Sequence, residues 1–152
     1  GGFSLLMASD IRIAGESARM NAAYLRIGLT GCDMGSSYFL PRLVGSSLAS
    51  ELLLTGRFLA AERALATGFV SAVVPDAELD AAAEPYVEEM LAATPMGLRL
   101  TKEALNHALD AQGLEAAMAM EDRHQSLLAL SEDAAEAAQA FVEKRPPVFR
   151  DR

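Results

Sequence analysis

Gly1-Gly2 stands directly ahead of the apolar run Phe3-Ser4-Leu5-Leu6-Met7-Ala8. Glycine lets a backbone come close to a ligand, and the first N–H groups of a helix have no partner within that helix. With the positive end of the helix dipole, such groups suit an oxygen that gains negative charge during a reaction. An ordinary glycine-rich turn before a helix needs no such role, and the pair taken alone favours that plainer reading. Cys32 could attack a thioester as a thiolate, but no histidine near it in sequence would activate it. A small buried apolar role fits Cys32 better. Asp33, within Gly31-Cys32-Asp33-Met34-Gly35, is well placed to cap a following helix. Lys144, Arg145, Arg150 and Arg152 face only Asp151 in the tail, a basic patch that suits either a helix C-terminus or an anionic ligand. His107 and His124 fall at helix positions that read as surface or interface.

The bulk composition narrows the classes. The 152 residues are 51% hydrophobic, enough to fill the core of one globular domain. A formal net charge of −8 opposes nucleic-acid binding, which needs a basic face to neutralise phosphate. Apolar runs are too short for a membrane span, and no signal segment opens the chain. One cysteine excludes an internal disulfide framework and agrees with a cytoplasmic setting. Two distant histidines and one cysteine make no zinc site.

The elements that must position these residues follow from pattern. Asp10-Ile11-Arg12-Ile13 alternates as a half-buried strand, and residues 18–21 read as a second short strand. Residues 22–27 are ambiguous, and the three glycines between Gly28 and Gly35 mark a loop. A helix is expected from about Met34 to Leu43, capped by Asp33 and ended near Pro41. Ser46-Ser47 open another that Gly56 closes, and a short helix over residues 60–67 ends at Gly68. Residues 69–74 read as a strand stopped by Pro75. Beyond it the chain is helical: residues 76–93 around Pro85, a helix begun by Thr94-Pro95, residues 114–130, and a last helix capped by Ser131. Three short strands are too few for an independent sheet, a hint of strands upstream.

In order, these segments resemble the C-terminal part of the enoyl-CoA hydratase/isomerase (crotonase) family. The residues that carry the resemblance are Gly1-Gly2, Ser9-Asp10-Ile11-Arg12-Ile13-Ala14 and Leu40-Pro41-Arg42-Leu43-Val44-Gly45. Leu53-Leu54-Thr55-Gly56-Arg57, Ala61-Glu62-Arg63-Ala64, Gly68-Phe69-Val70 and Val73-Val74-Pro75 continue it. Thr101-Lys102 and the run from Phe141 to Phe149 complete it. The resemblance implies a mixed α/β (α+β) fold: a β-β-α spiral, here its C-terminal part over residues 1–75, followed by a helical trimerisation region over residues 76–152. It further implies an acyl-CoA thioester substrate, no metal or other cofactor, a trimer or dimer of trimers, and polypeptide ahead of Gly1.

The same resemblance assigns roles residue by residue. Gly1 falls on the position of a backbone donor that stabilises a thioester enolate, with Gly2 beside it in the substrate site. The two family positions that carry glutamates for hydration hold Ser4 and Tyr24, neither a carboxylate. The usual hydratase mechanism therefore lacks its acid and base here. Tyr24 is then expected to line the acyl pocket. Asp33 lies in the loop where isomerases of the family carry an aspartate, so it is either a proton shuttle with a raised pKa or a plain helix cap. Phe141 and Lys144 match positions that touch the adenine and phosphate end of CoA, Phe141 by stacking and Lys144 as a point charge. The expected activity is double-bond isomerisation or atypical hydration of an enoyl-CoA. A CoA-thioester-binding protein that has lost hydration is the other reading.

Overall fold

The first helix, α1 (Gly2–Ala8), turns Phe3 and Met7 inward and leaves Leu5 exposed, as a one-sided apolar run predicts. Phe3 meets Phe69 with ring centroids 5.5 Å apart and tilted by 46°. Arg12 locks the other end of α1. Its Nε donates to the Phe69 carbonyl at 2.6 Å, and its Nη1 donates to the carbonyls of Ser9 and Leu6. The Leu6 and Ser9 oxygens lie at the negative end of the α1 dipole, where a cation is favourable. Burial lowers the pKa of the Arg12 guanidinium, an effect that Asp10 partly offsets.

The computed structural model describes all of residues 1–152, in two compact units, Gly1–Glu84 and Pro85–Arg152. In the first unit, β1 (Ile13–Gly15) pairs in parallel with β4 (Ala72–Val74), matching Ile13 with Ala72 and Gly15 with Val74. The β2 strand (Arg19–Met20) pairs antiparallel with β3 (Leu59–Ala60). Between β2 and β3 lie a 3₁₀ turn, Ala23–Ile27, and α2 (Ser36–Thr55). The short α3 (Ala61–Ala66) then leads toward β4.

Several expected boundaries move. The first strand begins at Ile13 rather than Asp10, because Ile13 is where the distant Ala72 supplies a ladder. The strand expected from Phe69 shrinks to β4. Phe69 and Val70 are buried, but their N–H groups close α3 by donating to the Ala64 carbonyl. The helices expected around residues 34–43 and 46–54 form one run, α2, with a break at Gly45. There φ is 79° and ψ is 160°, a conformation that only glycine adopts without strain. Pro41 sits inside α2 instead of ending it, and Gly56 closes it as expected.

The core of the first unit joins these elements. Leu40 and Leu52 of α2, Leu59 of β3 and Phe69 are fully enclosed, each contributing about 1.5–3 kcal/mol of burial. The helix α4 (Leu79–Leu91) runs through Pro85, and the two units divide within it.

The second unit contains α5 (Pro95–Ala108), α6 (Leu114–Ala129) and α7 (Glu132–Glu143). Both predicted caps are made: Thr94 Oγ1 accepts from Gly97 N–H at 3.1 Å, and Ser131 Oγ from Ala134 N–H at 3.0 Å. The α5 helix packs on α6, and α6 on α7. Few side chains are enclosed. His124, Asp133 and Ala140 are buried, whereas Leu105, Leu109, Leu114 and Leu130 are exposed. No helix in the chain is long and apolar enough to cross a membrane.

Candidate functional site

The start of α1 opens on a cavity of about 280 Å³ lined by Gly1, Gly2, Phe3, Asn21, Ala23, Tyr24 and Ile27. The first intrahelical bond of α1 runs from Leu5 N–H to the Gly1 carbonyl at 3.0 Å, so the N–H groups of Gly2, Phe3 and Ser4 lie ahead of it. No side chain caps this end. A Cβ added at Gly1 or Gly2 would meet nothing within 4 Å, so no neighbouring atom packs against either α-carbon there.

The opposite wall comes from the 3₁₀ turn. Gly28 closes that turn in the left-handed region, donating to the Leu25 carbonyl at 3.2 Å, and Leu29 N–H donates to the Tyr24 carbonyl at 3.0 Å. Tyr24 is half-buried and packs against the core. Asn21 Nδ2 donates to the Gly56 carbonyl at 3.3 Å, which ties the cavity wall to the end of α2. Asn21 and Ile27 join the site without having been foreseen. An apolar Ile27 directly ahead of Gly28 was the one signal for them, and Asn21 offered none.

The structure thus brings Gly1, Gly2 and Tyr24 together. Ser4 is 4% exposed and its Oγ has no hydrogen-bond partner; it does not line the cavity. Asp33 is exposed and also lies off the cavity wall. Its side chain does not cap α2, whose N-cap is Gly35. Instead the Asp33 backbone forms a turn, its N–H donating to Ser36 Oγ and its carbonyl accepting Ser36 N–H, both at 3.0 Å. Cys32 is exposed, against the expectation of burial, because the loop ties Thr30 and Cys32 to each other rather than to the core.

In the second unit, Phe141 is 86% exposed, so it does not pack a core. Lys144 is exposed and follows α7 in the left-handed region at φ 54°. The basic tail is partly neutralised from within. Arg145 makes a two-pronged pair with Glu136 at 2.5 and 3.0 Å, and its Nε meets Glu143 at 2.6 Å. The paired bonds from Arg145, with Val148 N–H, hold the Glu136 carboxyl down to about 2. His124, expected at a surface or interface, is buried beside a cavity of about 250 Å³ between α5 and α6. Its Nδ1 has no partner, while Nε2 lies 3.2 Å from Arg123 and 3.6 Å from Glu103.

Comparison with known proteins agrees with this architecture. The family model described as enoyl-CoA hydratase/isomerase matches residues 1–152. A probable enoyl-CoA hydratase of Mycobacterium tuberculosis is 43% identical over 99% of this chain and 53% of its own length. A carnitinyl-CoA dehydratase of Salmonella typhi is 32% identical over 100% of this chain and 59% of its own. The crystal structure of an enoyl-CoA hydratase from Bacillus anthracis superposes with a TM-score of 0.94 at 33% identity, covering 99% of this chain and 58% of that one. An enoyl-CoA hydratase/isomerase from Cupriavidus metallidurans gives 0.87 at 38% identity, covering 98% and 56%. The chain spans about half the length of the curated relatives it matches.

Proposed function

Because the chain belongs to the enoyl-CoA hydratase/isomerase family and has the crotonase fold, we propose that it contributes to an acyl-CoA-processing site in which the Gly1 N–H stabilises a thioester enolate. The observation that carries this is the uncapped start of α1, open to a cavity that Tyr24 also lines. A thioester oxygen placed there would meet fixed backbone dipoles, which lower the cost of its negative charge in the transition state. Gly2 lies beside that oxygen and Tyr24 bounds the acyl chain.

Proton transfer follows from what the cavity wall holds. None of its lining residues is a carboxylate, Ser4 is enclosed away from it, and Tyr24 offers a phenol in place of an acid. Double-bond isomerisation or atypical hydration therefore fits this chain better than hydration with two glutamates. From the loop ahead of α2, exposed and outside this wall, Asp33 is the carboxylate we assign to move the proton at the substrate's α or γ carbon. Phe141 and Lys144, both exposed at the end of α7, are assigned to the adenine and phosphate of CoA. The exposed leucines of α5 and α6 favour a homo-oligomer; a trimer or a dimer of trimers, and a cytoplasmic setting, are taken from the family resemblance.

A second reading, a CoA-thioester-binding protein without hydratase activity, is favoured by the same absence of a carboxylate from the cavity wall. Incubation with enoyl-, dienoyl- and 3-enoyl-CoA in deuterated water separates the two. Hydration adds water and removes conjugation, isomerisation exchanges deuterium without addition, and a binding protein does neither. Neither product nor exchange with any of these esters would refute the enzymatic reading.

A further inference from the structure

We propose that Asp133 is a positioning residue for nucleotide recognition, latching the C-terminal tail along α7 so that Phe141 and Lys144 are held ready for the adenosine phosphate of a CoA ester. The inference rests on the assignment of those two residues above and deepens it by naming what keeps them in place.

Asp133 is 3% exposed in the first turn of α7. A buried carboxylate needs partners, and here they are main-chain groups of the tail. One oxygen accepts Arg150 N–H at 2.7 Å and the other Asp151 N–H at 2.8 Å, while Asp133 N–H donates to the Arg152 carbonyl at 3.0 Å. One turn further along α7, Glu136 accepts Val148 N–H at 2.9 Å. From α5, Arg99 grips the Asp151 carboxylate with two bonds of 2.7 and 3.0 Å. The tail therefore leaves the end of α7 and runs back toward its start.

That reversal is made at Lys144, in a left-handed conformation that a non-glycine residue keeps only when its surroundings enforce it. One of the two bonds that close the reversal joins the nucleotide-end residues to each other. Lys144 N–H donates to the Phe141 carbonyl at 3.3 Å, and Arg145 N–H to the Ala140 carbonyl at 3.1 Å. Releasing the tail at Asp133 removes its far tether and leaves the reversal at Lys144 held only by its own turn bonds and by Glu136. Binding must then order a stretch of main chain carrying Phe141 and Lys144 that the intact latch already fixes.

The test compares butyryl-CoA with S-butyryl-pantetheine, which lacks the nucleotide, by calorimetric titration of Asp133→Asn and Arg99→Gln. Both variants should weaken butyryl-CoA binding by about three- to tenfold and leave the pantetheine ester unchanged. Charge alone predicts the opposite sign for Asp133→Asn, since removing an acid near a phosphate site favours an anion. Arg99→Gln is a surface change that keeps the test open if Asp133→Asn does not fold. Wild-type affinity for both ligands, or an equal loss for both, overturns the proposal. Lys144→Ala separates it from the reading beneath. If Lys144→Ala weakens butyryl-CoA and the latch variants do not, the latch falls alone. If Lys144→Ala also binds as wild type, the nucleotide assignment falls and takes the latch with it.

Discussion

Tyr24 stands on the wall of the same cavity as Gly1, the one in a 3₁₀ turn and the other at the foot of α1. The pairing sets an aromatic boundary beside bare main-chain donors. A thioester held by its oxygen at Gly1 would direct part of its acyl chain against that ring. Tyr24→Ala should therefore shift turnover or affinity toward longer or branched acyl chains, and Tyr24→Phe should keep the wild-type preference. A chain-length series measured on both variants checks this; an unchanged preference in Tyr24→Ala removes the residue from the pocket.

With polypeptide joined ahead of Gly1, Gly1→Pro deletes one backbone donor while leaving the Gly1 carbonyl free to accept from Leu5. Turnover should fall by roughly 10²–10³, the usual effect of losing one oxyanion donor, with little change in far-UV circular dichroism. Steady-state rates near wild type would show that the donor is not used.

Arg12 joins the end of α1 to the Phe69 segment through three carbonyls. Hydrogen bonds to a charged group contribute about 1.5–3 kcal/mol, so Arg12→Ala should lower the unfolding free energy by roughly that amount. Urea denaturation measures it. Because α1 carries Gly1, the same variant should loosen the cavity and lower turnover beyond the loss of folded protein.

How much of this was legible in sequence depends on the range of the interaction. Thr94, Ser131 and Gly56 each act within one helical turn, and each does what its type predicts. The strands depend on partners far along the chain: Ile13 pairs where Ala72 is available, so the alternating pattern from Asp10 marks the region but not the ladder. Leu59-Ala60 gives no alternating signal and is a strand only because Arg19-Met20 lies beside it. In the site, Gly1, Gly2 and Tyr24 were expected on the strength of the family resemblance. Asn21 reaches the cavity through a tertiary bond to Gly56, which no local pattern encodes. Burial of His124 likewise follows from how α5 meets α6.

The tail latch gives a pH signature. Arg145 first, and then Val148 N–H, hold the Glu136 carboxyl at about 2 against a usual 4.5. A depressed carboxylate contributes stability that is fully present above its unfolded value and is lost as pH falls through the folded one. Wild type should lose stability between about pH 5 and about pH 2, and Glu136→Gln should lose less over that window while starting lower at neutral pH. Denaturation curves at about pH 7 and about pH 3 make the comparison. Parallel losses in both proteins would exclude Glu136 as the titrating group.

Asp33→Asn tests the proton shuttle. If Asp33 moves the proton, exchange of deuterium into the α or γ carbon of a bound enoyl-CoA should stop while ester affinity persists. Exchange at the wild-type rate would confine Asp33 to its backbone turn with Ser36.

The most direct measurement is the infrared stretch of the thioester carbonyl of a bound acyl-CoA, isolated by isotope labelling of that carbon. Donation from the Gly1 N–H weakens the C=O bond, so the band should move to lower frequency on binding and, with polypeptide ahead of position 1, move back toward its aqueous position in Gly1→Pro. A bound carbonyl that absorbs where it does in water, or a shift that Gly1→Pro leaves intact, would contradict the account.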